Sequence, residues 1–175
     1  MEFSKVILDK ISYYLRERSE TISVAESVTS GFLQLAFSQM QSAEDFYNGG
    51  MTTYTLEQKV KHLNVGRKEA EKTNCVSKNI TETMALNAAG LFDTEWSVAT
   101  TGYCTPVLES KGEIFAYYAI AYKGQVILSD RIDLHPLTKS LDAQNYFTEC
   151  VLSCLRKALT APSVTGLQQV KHSDL

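Results

Sequence analysis

The stretch T-I-S-V-A-E-S-V-T-S-G-F-L-Q-L-A-F-S-Q-M, from Thr21 to Met40, changes its period halfway along. Ile22 and Val24 are separated by Ser23, the two-residue repeat of a short strand that runs from Thr21 to Ala25 and ends at Glu26 and Ser27. From Gly31 onward Leu33, Ala36, Phe37 and Met40 recur at helical spacing, with Thr29 or Ser30 placed to cap the helix. A strand entering a helix through a sharp turn is the unit from which open α/β sheets are built.

Upstream, Phe3, Ile7, Ile11, Tyr14 and Leu15 share one helical face through residue 18, so an amphipathic helix precedes the strand. Downstream, Asn48, Gly49 and Gly50 break the pattern before a short β-prone run from Met51 to Tyr54. Thr55 and Gln58 fit the capping box, which puts Lys59 in the first turn of the next helix. Two helices are expected around Lys68 to Lys72 and Ser77 to Leu91, then a strand from Trp96 to Thr100. Ile114 to Tyr122 and Val126 to Leu134, joined at Lys123 and Gly124, read as an antiparallel pair, and Leu141 to Leu159 as a closing helix. This order predicts a three-layer α/β/α sandwich with a mixed sheet. One domain is expected over residues 1–161, followed by a polar tail over 162–175. Sites in such sheets gather at the carboxyl ends of strands, which here are Glu26 to Gly31, Tyr54 to Lys59 and Thr100 to Pro106.

A chain of 175 residues can bury a full core without covalent staples. Its 17 basic and 20 acidic residues lack the cationic footprint of a phosphate-backbone binder, so no nucleic acid partner is expected. The first ten residues contain neither a leader pattern nor an apolar run, which points to a cytoplasmic protein without a membrane partner. The four cysteines form no C-x-x-C pair and the three histidines lie far apart, so reduced thiols, no metal and no cofactor are expected. Cys150 and Cys154 fall on the helical stripe of Phe147, Val151, Leu155 and Ala158, as core residues do.

Ser27, Tyr54 and Lys59 would singly be a turn serine, a strand tyrosine and a solvated helix lysine. Together, A-E-S-V-T-S-G at Ala25 to Gly31 and G-G-M-T-T-Y-T-L-E-Q-K at Gly49 to Lys59 resemble the CinA C-terminal family, which contains the nicotinamide mononucleotide deamidases. That family's pattern is A-E-S-C-T-G-G followed by G-x-x-T-Y-S-N-E-x-K. Cys75-Val76-Ser77 and Thr101 to Pro106 are similar to its G-A-V-S and S-G-I-A-G-P segments. Larger members carry a further N-terminal domain, which this sequence, opening directly on its first helix, is expected to lack.

The resemblance implies an amidohydrolase of pyridine nucleotide metabolism that turns a carboxamide into a carboxylate and ammonia, with a small-molecule partner and a homo-oligomeric assembly. Ser27 would be the nucleophile, Lys59 the base, and Tyr54 a proton relay or a holder of the lysine amine. A base role requires a neutral Lys59, and its place near a helix start favours that form. Thr29, Ser30 and Gly31 would offer backbone N–H groups to a phosphate or an oxyanion, and Glu26, Thr53, Thr101, Gly102 and Thr105 complete the expected substrate contacts. Glu26 equally fits a structural carboxylate bonded to backbone.

The sequence departs from the family at Val28, Ser30 and Leu56, and Tyr103, Cys104 and Thr105 stand in a segment that is otherwise glycine-rich. These side chains are expected to narrow the pocket and make nicotinamide mononucleotide a poor substrate. A second reading is a CinA-like ligand-binding or assembly module without catalysis.

Overall fold

The computed structural model describes residues 3–161; the expected polar tail at 162–175 lies outside the described residues. The elements run α1 (Lys5–Glu17), β1 (Ile22–Glu26), α2 (Phe32–Ser38), a short 3-10 turn (Ala43–Asp45), β2 (Tyr47–Thr52), α3 (Leu56–Leu63), α4 (Arg67–Lys72), α5 (Lys78–Phe92), β3 (Trp96–Tyr103), β4 (Ile114–Tyr122), β5 (Gln125–Leu134) and α6 (Ser140–Thr160). The five strands form one mixed sheet in the order β2-β1-β3-β4-β5. β1 pairs in parallel with β2 and β3, whereas β3, β4 and β5 pair antiparallel.

The alternation along the central strands decides what packs on each face. Ile22, Val24, Val98, Tyr118 and Ile120 point into a large apolar core shared with Ile11 and Leu15 of α1, Phe37 of α2 and Leu152 and Leu155 of α6. Ala25, Ala99, Ala119 and Ala121 face the other way, against Met84, Ala85 and Ala88 of α5 and against Leu63 and Ala70. Small side chains let α5 lie close to the sheet, and Ser97 Oγ donates to the α5 carbonyl of Ala85 at 2.6 Å. Each fully buried branched residue on the large face contributes about 1.5–3 kcal/mol.

At the amino end of the central strands, Glu20 is nearly enclosed. Its carboxylate accepts from Trp96 Nε1 at 2.7 Å and Tyr122 Oη at 2.6 Å, and pairs with Lys123 at 3.1 Å. Burial alone would raise its pKa, but the bonds from Trp96, Tyr122 and Lys123 prevail and lower it.

Two local expectations change. Asn48-Gly49-Gly50 does not break the chain: it lies inside β2, which begins at Tyr47. Gly50 must be glycine there, because a Cβ would come within 2.3 Å of Val24 Cγ2 and 2.9 Å of the Val24 carbonyl oxygen. The capping box at α3 is half made. Thr55 Oγ1 accepts from the Gln58 N–H at 3.5 Å, while Gln58 Oε1 faces His62 Nε2 at 3.0 Å instead of reaching back.

Candidate active site

Because β1 sits between β2 and β3 and all three run the same way, their carboxyl ends open at one place. A cleft of about 380 Å³ lies there, lined by Ser27 and Val28 after β1, by Tyr54 to Leu56 and Lys59 at the start of α3, and by Thr101 to Thr105 at the end of β3. Asn74, Cys75 and Val76, between α4 and α5, and Val107 and Glu109, between β3 and β4, complete the wall.

Lys59 is almost completely enclosed, with 1% of its surface exposed. Its Nζ lies 3.0 Å from Ser27 Oγ, 2.7 Å from the Thr53 carbonyl oxygen and 3.4 Å from that of Tyr54. Burial lowers its pKa; the Cys75 thiol, whose own pKa burial raises, opposes this more weakly. Both groups are thus pushed towards their neutral forms.

The expected role of the Tyr54 hydroxyl meets a different geometry. Thr53 turns inward and the next residue turns out, so the Tyr54 side chain is 70% exposed and only its carbonyl touches Lys59. Thr53 likewise acts through its carbonyl; its hydroxyl is buried and has no partner among the described residues.

The start of α2 is not an open anion site. Glu26, fully enclosed, turns its carboxylate back onto it. Glu26 Oε2 accepts from the N–H groups of Gly31 and Leu33, both at 3.1 Å, and from Thr29 Oγ1 at 2.6 Å, while Oε1 accepts from the Gln34 N–H at 2.9 Å. A carboxylate thus does the capping expected of Thr29 or Ser30, and neither Glu26 nor Thr29 is free for a substrate. Thr29 Oγ1 also bonds Thr100 Oγ1 at 2.8 Å. Ser30 does not line the cleft: it has a φ of 49° and its hydroxyl lies between the Ser27 carbonyl and Gln144 Nε2. A β-carbon at Ser30 therefore does not narrow the cleft.

The end of β3 does shape the wall. Thr101 donates through Oγ1 to the Cys75 carbonyl at 3.0 Å. Asn74 Nδ2 donates to Tyr103 Oη at 3.1 Å, and the Tyr103 ring packs edge-on against Phe115. Gly102 answers to its neighbour strand, since a Cβ would lie 2.2 Å from the Phe115 carbonyl oxygen. Thr105 lines the mouth. The sequence reading did not single out Asn74 or Glu109 as site residues. Asn74 and Cys75 both adopt positive φ, 50° and 62°, and an Asn in that position was the one local signal of a tight corner.

Among the described residues no group of three or more His, Cys, Asp or Glu could hold a metal ion, the four cysteines are unpaired, and no helix is long and apolar enough to cross a membrane.

Comparison with known proteins gives these positions a context. Residues 5–159 match the model of the CinA C-terminal domain. A CinA-like protein of Nostoc sp. is 29% identical over 155 residues, covering 83% of this chain and 37% of that protein. Another, from Picosynechococcus sp., is 31% identical over 108 residues, 62% of this chain and 26% of that protein. The chain thus spans well under half the length of these relatives. Among solved structures, competence damage-inducible protein A of Klebsiella pneumoniae superposes with a TM-score of 0.82 over 90% of this chain and 98% of that one, at 20% identity. A competence-damaged protein superfamily member from Escherichia coli gives 0.77 over 92% and 95%, at 23% identity. At those identities the likeness shows the fold, which is the expected α/β arrangement with a mixed sheet. The family model, matched across nearly all of the described residues, settles the affiliation: the chain belongs to the CinA C-terminal domain family.

Proposed function

We propose that the cleft hydrolyses a carboxamide to a carboxylate and ammonia, with Ser27 as nucleophile and Lys59 as the base that takes its proton. The observation that carries this reading is the environment of the Lys59 amine. A neutral amine has two hydrogens and one lone pair. Nζ donates to Ser27 Oγ and to the Thr53 and Tyr54 carbonyls; in the neutral amine the two carbonyls take both hydrogens, which leaves the lone pair for the Ser27 hydroxyl proton. Burial disfavours the ammonium form that would abolish this role.

The chemistry then runs in two halves. Ser27 Oγ bonds to the amide carbon as its proton passes to Lys59, and the carbonyl π electrons move onto oxygen. Backbone N–H groups of the Ser27–Val28 turn stabilise that oxyanion. Collapse expels ammonia, which leaves with the proton from Lys59, and an ester on Ser27 remains. Water adds to the ester carbon while Lys59 takes one of its protons, the same proton returns to Ser27 Oγ as the carboxylic acid departs, and the acid's remaining proton passes to the released ammonia, giving carboxylate and ammonium.

A non-catalytic module is the competing reading, and one observation favours it: Lys59 ties the β1–α2 turn to the β2–α3 turn, a staple that holds the fold without any reaction. Incubating the protein with a panel of carboxamides, following ammonia release and searching by mass spectrometry for an acyl adduct on Ser27, separates the two. Turnover abolished by Ser27→Ala supports the hydrolase; no turnover from a folded protein supports the staple.

A further inference from the structure

Charge in the cleft is unevenly supplied. Among the described residues that line it, only Lys59 and Glu109 are ionisable as a cation or a carboxylate. Lys59 is committed to Ser27 and two carbonyls. Glu109 stands exposed at the mouth and makes no ion pair among the described residues.

The starts of α2 and α5 at this end add little positive potential, because each is already matched by a carboxylate. Glu26 closes α2. Glu57, in the first turn of α3, is paired with Arg67 at 2.7 Å, so that pair adds little net charge of either sign. Glu69 takes Ser77 Oγ at 2.8 Å and Asn79 Nδ2 at 2.5 Å at the start of α5.

We infer that the preferred substrate is a small carboxamide that carries a positive charge and no phosphate, with Glu109 as the counter-charge at the mouth of the cleft. This inference rests on the hydrolase reading. Among the described residues that line the cleft a phosphate finds no side-chain cation other than the committed Lys59, and its charge would favour the ammonium form of that lysine, which cannot accept the Ser27 proton. A cationic substrate acts in the opposite sense: it pairs with Glu109 and disfavours the ammonium form, so binding and activation of the base favour each other.

Three probes share one reacting group: nicotinamide, neutral; the 1-methylnicotinamide cation; and nicotinamide mononucleotide, a pyridinium with a phosphate. Ammonia release should show kcat/KM for the methylated cation at least tenfold above that for the mononucleotide. Glu109→Gln should shrink the cation-to-neutral ratio at least fivefold, and Glu109→Lys should invert the order of cation and mononucleotide. Glu109 is exposed, so both variants should keep the thermal unfolding of the parent. Equal or better use of the mononucleotide, or a cation-to-neutral ratio unmoved in Glu109→Gln, overturns the inference and leaves the hydrolase reading standing. Calorimetric binding to Ser27→Ala covers the other case. If no probe is hydrolysed yet the cation binds tenfold tighter than the mononucleotide and loses this in Glu109→Gln, the selectivity holds and the hydrolase reading falls.

Discussion

Lys59 and Ser27, 32 positions apart, meet through a 3.0 Å bond in which the lysine is the more deeply buried partner. A lysine placed so is worth its desolvation cost only where its amine has work that a methylene chain cannot do. Replacing it by methionine should keep the fold and cut kcat for a carboxamide substrate by at least about a thousandfold, of the order removed with a catalytic base. Lys59→Arg should not restore activity, because a guanidinium does not lose its proton. Steady-state ammonia release, with circular dichroism as the control for folding, checks both.

The same amine sets a pH dependence. Its folded pKa is depressed, so activity should rise with pH as Lys59 loses its proton, below the usual lysine range. Stability moves in the same direction. The unfolded lysine holds its proton up to about pH 10.4, so between the folded pKa and that value the unfolded chain binds more protons and raising the pH stabilises the fold. Chemical denaturation of the wild type and Lys59→Met at several pH values should show the wild type gaining on the variant as pH increases.

Tyr54→Phe should leave kcat/KM within about twofold of the parent, since only the carbonyl of this residue reaches Lys59. A loss of a hundredfold or more would mean that the ring swings inward when substrate binds, and would restore the hydroxyl to the mechanism.

Glu26→Ala should cost about 3 kcal/mol or more in urea unfolding, because three backbone N–H groups and the Thr29 hydroxyl lose their acceptor in a buried place. Glu26→Gln should also destabilise, as one carbonyl oxygen cannot serve both sides of the cap. Unchanged stability with impaired substrate affinity would return Glu26 to the list of substrate contacts.

Gly102→Ala should lose about 2–3 kcal/mol, since the clash is with backbone of β4 and not with a flexible side chain. Denaturant midpoints, with the slope unchanged, measure it.

The sheet and its helices were legible wherever periodicity was strong. The alternation at Ile22 and Val24 and the helical stripe through Leu33 and Phe37 meet their counterparts in β1 and α2. β2 was misjudged at its start because Gly49 and Gly50 read as breakers, whereas the crowding that demands Gly50 comes from Val24 on another strand. The pairing of Ser27 with Lys59 was reached by resemblance, since spacing alone does not bring two turns together. That Glu26 would consume the start of α2 was left open, because the fold of the 27–31 turn, with Ser30 at positive φ, decides where its carboxylate goes. The resemblance implies a hydroxyl role for Tyr54, whose residue type alone reads as an ordinary strand tyrosine; the inward turn of Thr53 gives it a carbonyl contact instead.

Trp96, the one tryptophan of the chain, is 2% exposed and bonded to Glu20 at the start of β3, while the cleft lies at the other end of that strand. Five residues of extended chain, roughly 16 Å of backbone, separate its position from Thr101. The protein therefore carries a built-in optical gauge of the integrity of the frame, placed outside the lining of the cleft. A variant at Ser27, Lys59 or Glu109 that alters this fluorescence has disturbed the frame as far as the opposite end of the sheet.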